Sequence, residues 1–291
     1  MSLLALALTA GLGTRLRPYT NLRAKPAIPF LGVPLALHAL RHLEPLAINE
    51  LFMNIHHRGE DIKGLDISVM NLPEPQYSDE TKKILGSAGA LHLVFQKTEA
   101  DNYLLMNGDE VLLPKDAEFL KAAYEQHCAS DAIATLITME HPEVGQTFGG
   151  AWTATGNTVQ MFSKKTIPGL HGHHYVGYLF LKAGIKKYFK PVLDEENILY
   201  ETLTKAMADS QKVTVFPIET HWFETGETLR FIEASHKALD LLTSTSASPA
   251  CKDLEKFLLR FSSFQFLVEK EDPSLASRLQ AYLRKKILKA P

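Results

Sequence analysis

The chain has 291 residues, of which 45% are hydrophobic, and its formal net charge is -2. This length can bury one large core or two modest ones, and the near-neutral charge gives no general electrostatic reason to bind nucleic acid or an anionic membrane. Two cysteines are too few for a disulfide framework, and no apolar run approaches the ~20 residues that are needed to span a bilayer.

The first predicted element is an apolar run at residues 3–8, which is typical of a strand buried on both faces of a parallel sheet. Gly11 and Gly13 follow it directly, with Thr14 and Arg15 next to them. Glycines at the end of such a strand place backbone N–H groups at the carboxyl edge of the sheet, where open α/β folds bind ligands. Because no basic segment precedes the run, we expect no signal peptide and a cytoplasmic location.

The segment from residue 11 to residue 34 predicts a binding site for a nucleoside triphosphate. Backbone amides together with the cations Arg15 and Lys25 can neutralise several anionic oxygens. A P-loop is excluded because no Lys follows Gly13, and a dinucleotide fingerprint is excluded because Leu16 stands where its third glycine belongs. The two glycines alone are equally typical of an ordinary tight turn.

Apolar strands alternate with helical patterns over roughly the first 140 residues, which predicts a parallel sheet with right-handed crossovers. The predicted strands are 51–55, 67–72, 103–106 and 132–139, and the predicted helices are 34–43, 87–95 and 115–127. Alternation on both sides of residues 155–157 then predicts a hairpin. Strands at 175–181 and 213–218 and helices at 197–207 and 226–242 complete this part.

The order of these elements predicts an α/β fold with a doubly wound, mostly parallel sheet, a β-rich insertion and a C-terminal helical extension. We expect a main domain at 1–243, a linker at 244–249 and the extension at 250–291. In the extension, Leu275, Leu279, Leu283 and Ile287 recur every four residues and form an apolar stripe. This stripe can pack on the core or on a second subunit, so a homo-oligomer is one expectation.

The longer pattern at residues 11–34 resembles the signature of the sugar-1-phosphate nucleotidyltransferases, which join a nucleoside triphosphate to a sugar 1-phosphate and release pyrophosphate. The matching residues are Gly11-Leu12-Gly13-Thr14-Arg15-Leu16, Pro18, Thr20, Lys25-Pro26, Pro29, Gly32 and Pro34. The resemblance implies a Rossmann-like catalytic domain at 1–243 whose β-rich insertion binds the sugar. It also implies that Arg15 and Lys25 are catalytic cations, and that the nucleotide is bound by these two and by Ala10, Gly11, Gly13 and Thr14.

Nucleotidyl transfer needs in-line positioning and positive charge at the reacting phosphate, and Mg²⁺ supplies such charge when one or two carboxylates hold it. Asp109 directly follows the predicted strand 103–106 and resembles the family's metal-binding Gly-Asp motif. Glu224 matches the second metal ligand of the family, where Asp is usual in a W-x-D-x-G pattern. We therefore expect Asp109 and Glu224 to bind Mg²⁺; an ordinary turn residue and an acid in a first helical turn are the alternatives.

Residues 85–91, LGSAGAL, resemble the segment that recognises the base in this family, with Ser87 in place of Thr. The resemblance implies that Leu85, Gly86 and Gly89 bind the nucleotide, and helix capping by Ser87 is the alternative. This form is most familiar from mannose-1-phosphate guanylyltransferases, which slightly favours GTP with a mannose-like sugar phosphate. Close variants of this segment serve UTP and CTP, so the choice of base stays open.

The sugar side departs most from the family. Residues 162–166 stand where F-x-E-K-P is usual; Lys165 matches the catalytic lysine that holds the sugar phosphate, whereas Lys164 replaces a glutamate that bonds sugar hydroxyls. Gly149 and Gly177 match glycines that let sugar and phosphate approach the backbone. The resemblance thus implies sugar-phosphate binding by Gly149, Lys164, Lys165 and Gly177.

Three histidines, His171, His173 and His174, suggest a metal site, but without a separate set of well-spaced ligands we expect a loop or strand-edge role. The leading functional hypothesis is a Mg²⁺-dependent sugar-1-phosphate nucleotidyltransferase with no nucleic-acid or membrane partner. Two alternatives stay open. One is a catalytically silent nucleotide-sugar-binding regulatory subunit, and the other is an enzyme that transfers to a non-sugar phosphate such as phosphocholine.

Overall fold

The computed structural model describes residues 1–244, 248–261 and 265–287, and its largest element is a nine-stranded mixed sheet. The strands are, in chain order, β1 (Leu3–Leu8), β2 (Pro29–Phe30), β3 (Val33–Pro34), β4 (Glu50–Ile55), β5 (Pro75–Asp79), β6 (Asn102–Asn107), β7 (Val111–Pro114), β8 (Ala134–Met139), β9 (Gly150–Thr153), β10 (Val159–Ser163), β11 (His171–Lys182), β12 (Val213–Pro217) and β13 (Thr220–Phe223).

Helices flank both faces of this sheet. The α-helices are α1 (Tyr19–Leu22), α2 (Leu35–Leu40), α3 (Gly59–Lys63), α4 (Gly86–Phe95), α5 (Phe119–Ala129), α6 (Thr204–Ala208), α7 (Thr228–Thr243), α8 (Pro249–Phe261) and α9 (Pro273–Ile287). The short 3-10 helices are Thr14–Leu16, Lys25–Ala27, Arg41–Leu43, Ala183–Tyr188 and Glu269–Glu271. A π-helix, Ile198–Leu203, precedes α6 where a single α-helix was predicted; the Asn197 side chain caps it by accepting from the N–H groups of Leu199 and Tyr200.

The apolar strand β1 lies in the middle of the sheet, between β6 and β4, and runs parallel to both. Its side chains alternate between two hydrophobic cores: Leu4 and Leu6 enter one, and Leu3, Ala5 and Ala7 enter the other. A strand that is buried on both faces needs apolar residues at every position, which is why this run could be recognised from the sequence.

The sheet runs in the order β10-β9-β11-β6-β1-β4-β5, with β8 paired to β11 and β12 paired to β8. Strands β5, β4, β1 and β6 are mutually parallel, whereas the long strand β11 is antiparallel to β6, β8 and β9. β9 and β10 form the predicted hairpin, with Gly156 at φ 79° between them. The predicted fold class, a mostly parallel α/β sheet with a β-rich insertion, is confirmed.

The prediction of a strand at residues 67–72 is wrong. The chain forms turns there, and Ile67 and Met70 are buried because they cover the core from a loop. The neighbouring strand is β5 instead, which pairs in parallel with β4 at the edge of the sheet. Its sequence is polar because an edge strand is half-exposed, and Ser78 is its one fully buried residue.

The predicted helix 115–127 begins later than expected, at Phe119. The Asp116 carboxylate accepts a hydrogen bond from the Glu118 N–H at 2.9 Å, and this turn holds the chain out of helical geometry before α5. The short strands β2, β3, β7 and β13 were not predicted at all, since two to four residues carry too little periodicity.

The C-terminal helices α8 and α9 pack against α7 and share its hydrophobic core. Leu275, Leu279 and Leu283 of the predicted stripe are buried there, while the side chain of Ile287 lies outside the described residues. Residues 245–247 of the predicted linker also lie outside them. A homo-oligomer stays a prediction. In the part of the chain that the structure describes, no helix combines the length and the apolar character needed to cross a bilayer.

Candidate active site

Two parallel strands bring the first candidate residues together at the carboxyl edge of the sheet. In the β1–β6 pair Leu8 lies opposite Asn107, and the Gly108 N–H donates to the Leu8 carbonyl at 2.9 Å. The turn after β1 and the turn after β6 are therefore neighbours. This places the segment that starts at Gly11 beside Asp109.

The turn after β1 depends on Gly13, whose φ is 59°. A Cβ atom at this position would lie 2.7 Å from Cγ2 of Thr20, so both the backbone conformation and the space favour glycine. The 3-10 helix Thr14–Leu16 follows and presents Arg15, an exposed side chain whose Nη1 lies 3.8 Å from Oε1 of Glu227.

Lys25 begins a second short helix and reaches the turn after β6. Its Nζ donates to Oδ2 of Asp109 at 2.6 Å, and the Lys25 side chain is only 14% exposed. A predicted phosphate-binding cation and a predicted metal ligand are thus in direct contact, although 84 positions separate them in the chain.

A pair of short antiparallel strands brings in the second predicted metal ligand. β13 pairs with β7 so that Phe223 lies opposite Val111. Glu224 follows Phe223 directly, and therefore sits beside the turn that carries Asp109. The Thr225 hydroxyl donates to the carbonyl oxygen of Asp109 at 3.4 Å, which links the two segments.

These segments enclose a central cavity of about 530 Å³. Its lining residues are Arg15, Lys25, Asn107, Asp109, Glu110, Thr147, Phe148, His174, Tyr175, Trp222, Phe223, Glu224, Thr225, Gly226, Glu227 and Arg230. A loop cavity of about 250 Å³ adjoins it and shares Arg15, Lys25, Asp109 and Gly226 with it; Leu8, Gly11, Gly13, Thr14 and Pro26 complete its lining. The structure therefore brings the two cations predicted to bind the triphosphate, Arg15 and Lys25, and both predicted metal ligands to one cavity.

Glu110 is a site residue that sequence reasoning missed. Its Oε1 accepts from Nδ2 of Asn107 and its Oε2 accepts from Nε1 of Trp222, both at 2.8 Å. Burial and the neighbouring Asp109 carboxylate raise the pKa of Glu110 to about 7. Glu110 thereby connects β6 to β13, the two elements whose ends carry the predicted metal ligands. Its position next to Asp109 was the only signal in the sequence.

The backbone N–H of Ala10 is already hydrogen-bonded within the protein, and Ala10 is not among the residues that line either cavity. Thr9 and Ala10 donate their N–H groups to Oδ1 of Asn54 at 2.6 and 3.1 Å, and Nδ2 of Asn54 donates to Glu80. Glu80 is buried, which raises its pKa, and its Oε2 accepts from the Leu85 N–H at 2.8 Å. A buried polar chain thus connects the turn after β1 to the predicted base segment.

The predicted base segment forms the start of α4 and packs on its own chain. A Cβ atom at Gly86, where φ is 68°, would lie 2.7 Å from the Glu196 carbonyl oxygen, and Gly89 lies against the backbone of Asp194. The Ser87 hydroxyl accepts from the Ile198 N–H at 2.9 Å. Leu85, Gly86 and Gly89 are not among the residues that line the central or loop cavity. Their role in binding the base stays a prediction.

Of the predicted sugar-phosphate residues, Gly177 is adjacent to the central cavity. A Cβ atom at this position would meet the Glu110 side chain, 2.9 Å from its Oε1. Lys164 and Lys165 are exposed at the end of β10, and Lys164 Nζ lies 5.8 Å above the ring of Tyr200, which also contacts Gly149. Neither lysine is among the residues that line the central cavity. Their contact with a sugar phosphate stays a prediction.

The three neighbouring histidines separate onto two faces of β11. His174 lies 4.5 Å from Trp222 between ring centroids and lines the central cavity. Burial and His141 lower the pKa of His174 to about 4, so its imidazole is neutral. His171 and His173 alternate with His174 along the strand and are not among the residues that line the central cavity.

Residues 4–240 match the family model described as Nucleotidyl transferase, which covers most of the chain and all the elements that build the central cavity. The chain belongs to the nucleotidyl transferase family. The resemblance that was noted at residues 11–34 is thereby confirmed.

The chain is similar to curated members of this family at low identity. It is 30% identical over 173 residues to a Synechocystis sp. UTP–glucose-1-phosphate uridylyltransferase. The aligned region covers 55% of this chain and 44% of that protein. It is 24% identical over 257 residues to a mannose-1-phosphate guanyltransferase of Eremothecium gossypii. This second aligned region covers 82% of this chain and 65% of that protein. The chain therefore spans about half to two thirds of the length of these relatives.

Solved structures show the same fold. A UDP-glucose pyrophosphorylase from Acinetobacter baumanii superimposes with a TM-score of 0.70 at 16% identity, over 89% of this chain and 100% of that one. An inositol-1-phosphate CTP transferase from T. maritima superimposes with a TM-score of 0.65 at 18% identity, over 81% and 96% of the two chains.

Proposed function

We propose that this member of the family is a Mg²⁺-dependent sugar-1-phosphate nucleotidyltransferase. The observation that carries the proposal is the convergence of Arg15, Lys25, Asp109 and Glu224 on one cavity from segments distant in sequence. Cations suit a triphosphate and carboxylates suit a divalent metal, and family members combine the two.

The donor set around the cavity fits magnesium. Asp109 and Glu224 offer only carboxylate oxygens, the ligand type that Mg²⁺ prefers together with phosphate oxygens and water. We propose that these two residues hold the ion. When bound, magnesium would supply positive charge at the reacting phosphate.

The side chains of the protein would then position the triphosphate and balance its charge. The exposed guanidinium of Arg15 can move from Glu227 to the phosphates, and Lys25 can exchange its contact with Asp109 for a phosphate oxygen. Such preorganised donors stabilise charge that develops in the transition state. Lys165 would bind the sugar phosphate, as the resemblance implies.

The proposed reaction is a direct displacement. A phosphate oxygen of the sugar 1-phosphate attacks the α-phosphorus of the triphosphate, and the bond between that phosphorus and the oxygen bridging to the β-phosphate breaks. Pyrophosphate leaves with the electron pair, and the NDP-sugar is the second product. The protein supplies alignment and charge, and forms no covalent intermediate.

For the base and the sugar we propose GTP and a mannose-like sugar 1-phosphate as the first pair to test. The support is the LGSAGAL segment and the similarity to proteins named mannose-1-phosphate guanyltransferase. A relative named uridylyltransferase makes UTP with glucose 1-phosphate the second pair.

The test is pyrophosphate release from the four NTPs crossed with a panel of sugar 1-phosphates and phosphocholine, with and without Mg²⁺. We expect one pair to turn over, and Asp109→Asn to lower kcat by about 10²–10³-fold, the size measured for losing one preorganised charge-stabilising group. Asp116→Asn is the matched control, since Asp116 is an exposed aspartate in the turn before α5. Equal rates for the two variants would refute the assignment of Asp109.

The silent regulatory subunit is distinguished by calorimetry. Tight NDP-sugar binding in a folded sample that turns over no pair with Mg²⁺ would favour it over the enzyme. Turnover of phosphocholine alone would favour the non-sugar acceptor.

A further inference from the structure

Two of the three neighbouring histidines form a cluster with an acidic residue outside the proposed active site. Oε1 of Glu140 lies 2.6 Å from Nε2 of His171, and the rings of His171 and His173 are 4.5 Å apart and perpendicular. One potential ligand atom of each residue lies within 4.8 Å of those of the other two.

The strand geometry explains why these residues meet. His171 and His173 are two positions apart on β11, so their side chains project to the same face. β8 pairs antiparallel with β11 up to Met139 opposite His174, and Glu140 follows at the next position. The cluster therefore joins the end of β8 to the start of β11, which also pairs with β9 of the hairpin.

The buried histidine of the cluster, His173, has one ring nitrogen without a hydrogen-bond partner among the described residues. His173 is 5% exposed, and its Nε2 lies 3.0 Å from the hydroxyl of Thr153, while its Nδ1 is buried without a hydrogen-bond partner among the described residues. A buried imidazole nitrogen without a partner is unusual, because desolvation is then uncompensated. A neutral imidazole nitrogen of this kind can offer its lone pair to a metal ion.

We infer that Glu140, His171 and His173 form a binding site for a divalent transition metal such as Zn²⁺. Two imidazole nitrogens and one carboxylate oxygen are a donor set that suits zinc and its neighbours, whereas magnesium prefers oxygen ligands alone. Water or a further ligand would complete the coordination, since His171 and Glu140 are exposed. None of the three residues is among those that line the central cavity, where the proposed transfer reaction takes place.

The experiment measures Zn²⁺ binding by calorimetry and Co²⁺ binding by visible absorption, on the full chain without a histidine tag and with saturating Mg²⁺ present. We expect a single equivalent of each metal to bind. His171→Ala should weaken Zn²⁺ binding by about tenfold or more and abolish the ligand-field absorption of Co²⁺, because even indirect supporting residues are worth about 10–100-fold in metal affinity. Glu140→Gln should weaken binding in the same direction.

Two controls separate this site from others. His57→Ala removes an exposed histidine far from the cluster in sequence and should bind like the wild type. Asp109→Asn should retain the Zn²⁺ site, because it alters only the proposed magnesium site. The inference is overturned if His171→Ala and His57→Ala bind Zn²⁺ equally, or if binding disappears in Asp109→Asn and persists in His171→Ala. Neither result depends on whether the protein turns over any nucleotide.

Discussion

Glu269→Gln is expected to change how the stability of the protein depends on pH. The Glu269 side chain is completely buried in the segment between α8 and α9, where Oε1 accepts from the Leu31 N–H at 2.9 Å. Its Oε2 has no hydrogen-bond partner among the described residues. Leu31 belongs to the segment 11–34, so this contact joins the C-terminal helices to the proposed triphosphate site.

The size of the expected change in stability follows from the pKa of the buried Glu269 carboxyl. Burial raises the pKa of Glu269 from 4.5 to about 7. The native state therefore binds the proton more tightly than the unfolded chain, and the stability that this provides is complete below about pH 4.5 and is lost as the pH rises through 7. At about 1.4 kcal/mol for each tenfold change in proton affinity, the loss is at most about 3 kcal/mol.

The assay is urea denaturation of the wild type and of Glu269→Gln at a series of pH values from 4.5 to 8.5. Glutamine resembles the protonated acid and does not titrate, so we expect similar stabilities at pH 4.5 and a variant that is more stable by up to about 3 kcal/mol at pH 8.5. Glu125→Gln, at an exposed position of α5, controls for the loss of a negative charge. If the difference between wild type and Glu269→Gln is the same at every pH, the reasoning is refuted.

Three further predictions concern the site and the core. Lys25→Met should lower kcat for pyrophosphate release by about 10²–10³-fold, and a rate within twofold of the wild type would contradict its role. Gly177→Ala should destabilise the protein by about 1–2 kcal/mol, because φ is 87° there and the new Cβ would lie 2.9 Å from Oε1 of Glu110; an unchanged melting temperature would contradict this. Leu279→Ala, at a side chain that is 1% exposed, should cost about 2–5 kcal/mol in urea denaturation, whereas Leu229→Ala, at one that is 76% exposed, should cost about 0.5 kcal/mol or less.

The features that could be predicted from the sequence are those that local pattern determines. The central strand β1 was recognisable because five of its six positions are buried, and Gly11 and Gly13 mark the turn at its end. Asp109 was assigned to the same edge of the sheet because it follows another apolar strand, and parallel strands end at the same edge. The structure places these residues side by side, as the register of Leu8 with Asn107 shows.

Other features were decided only by tertiary packing. Glu224 reaches the cavity because the four-residue strand β13 pairs with β7, about 110 positions earlier in the chain, and such short strands carry no detectable period. The same pairing lets Trp222 donate a hydrogen bond to Glu110, and no sequence pattern predicts this contact. The apolar run at 67–72 was wrongly predicted as a strand because hydrophobicity favours burial in any conformation. Its neighbours in space, rather than its sequence, determine whether a buried segment joins the sheet or covers it from a loop.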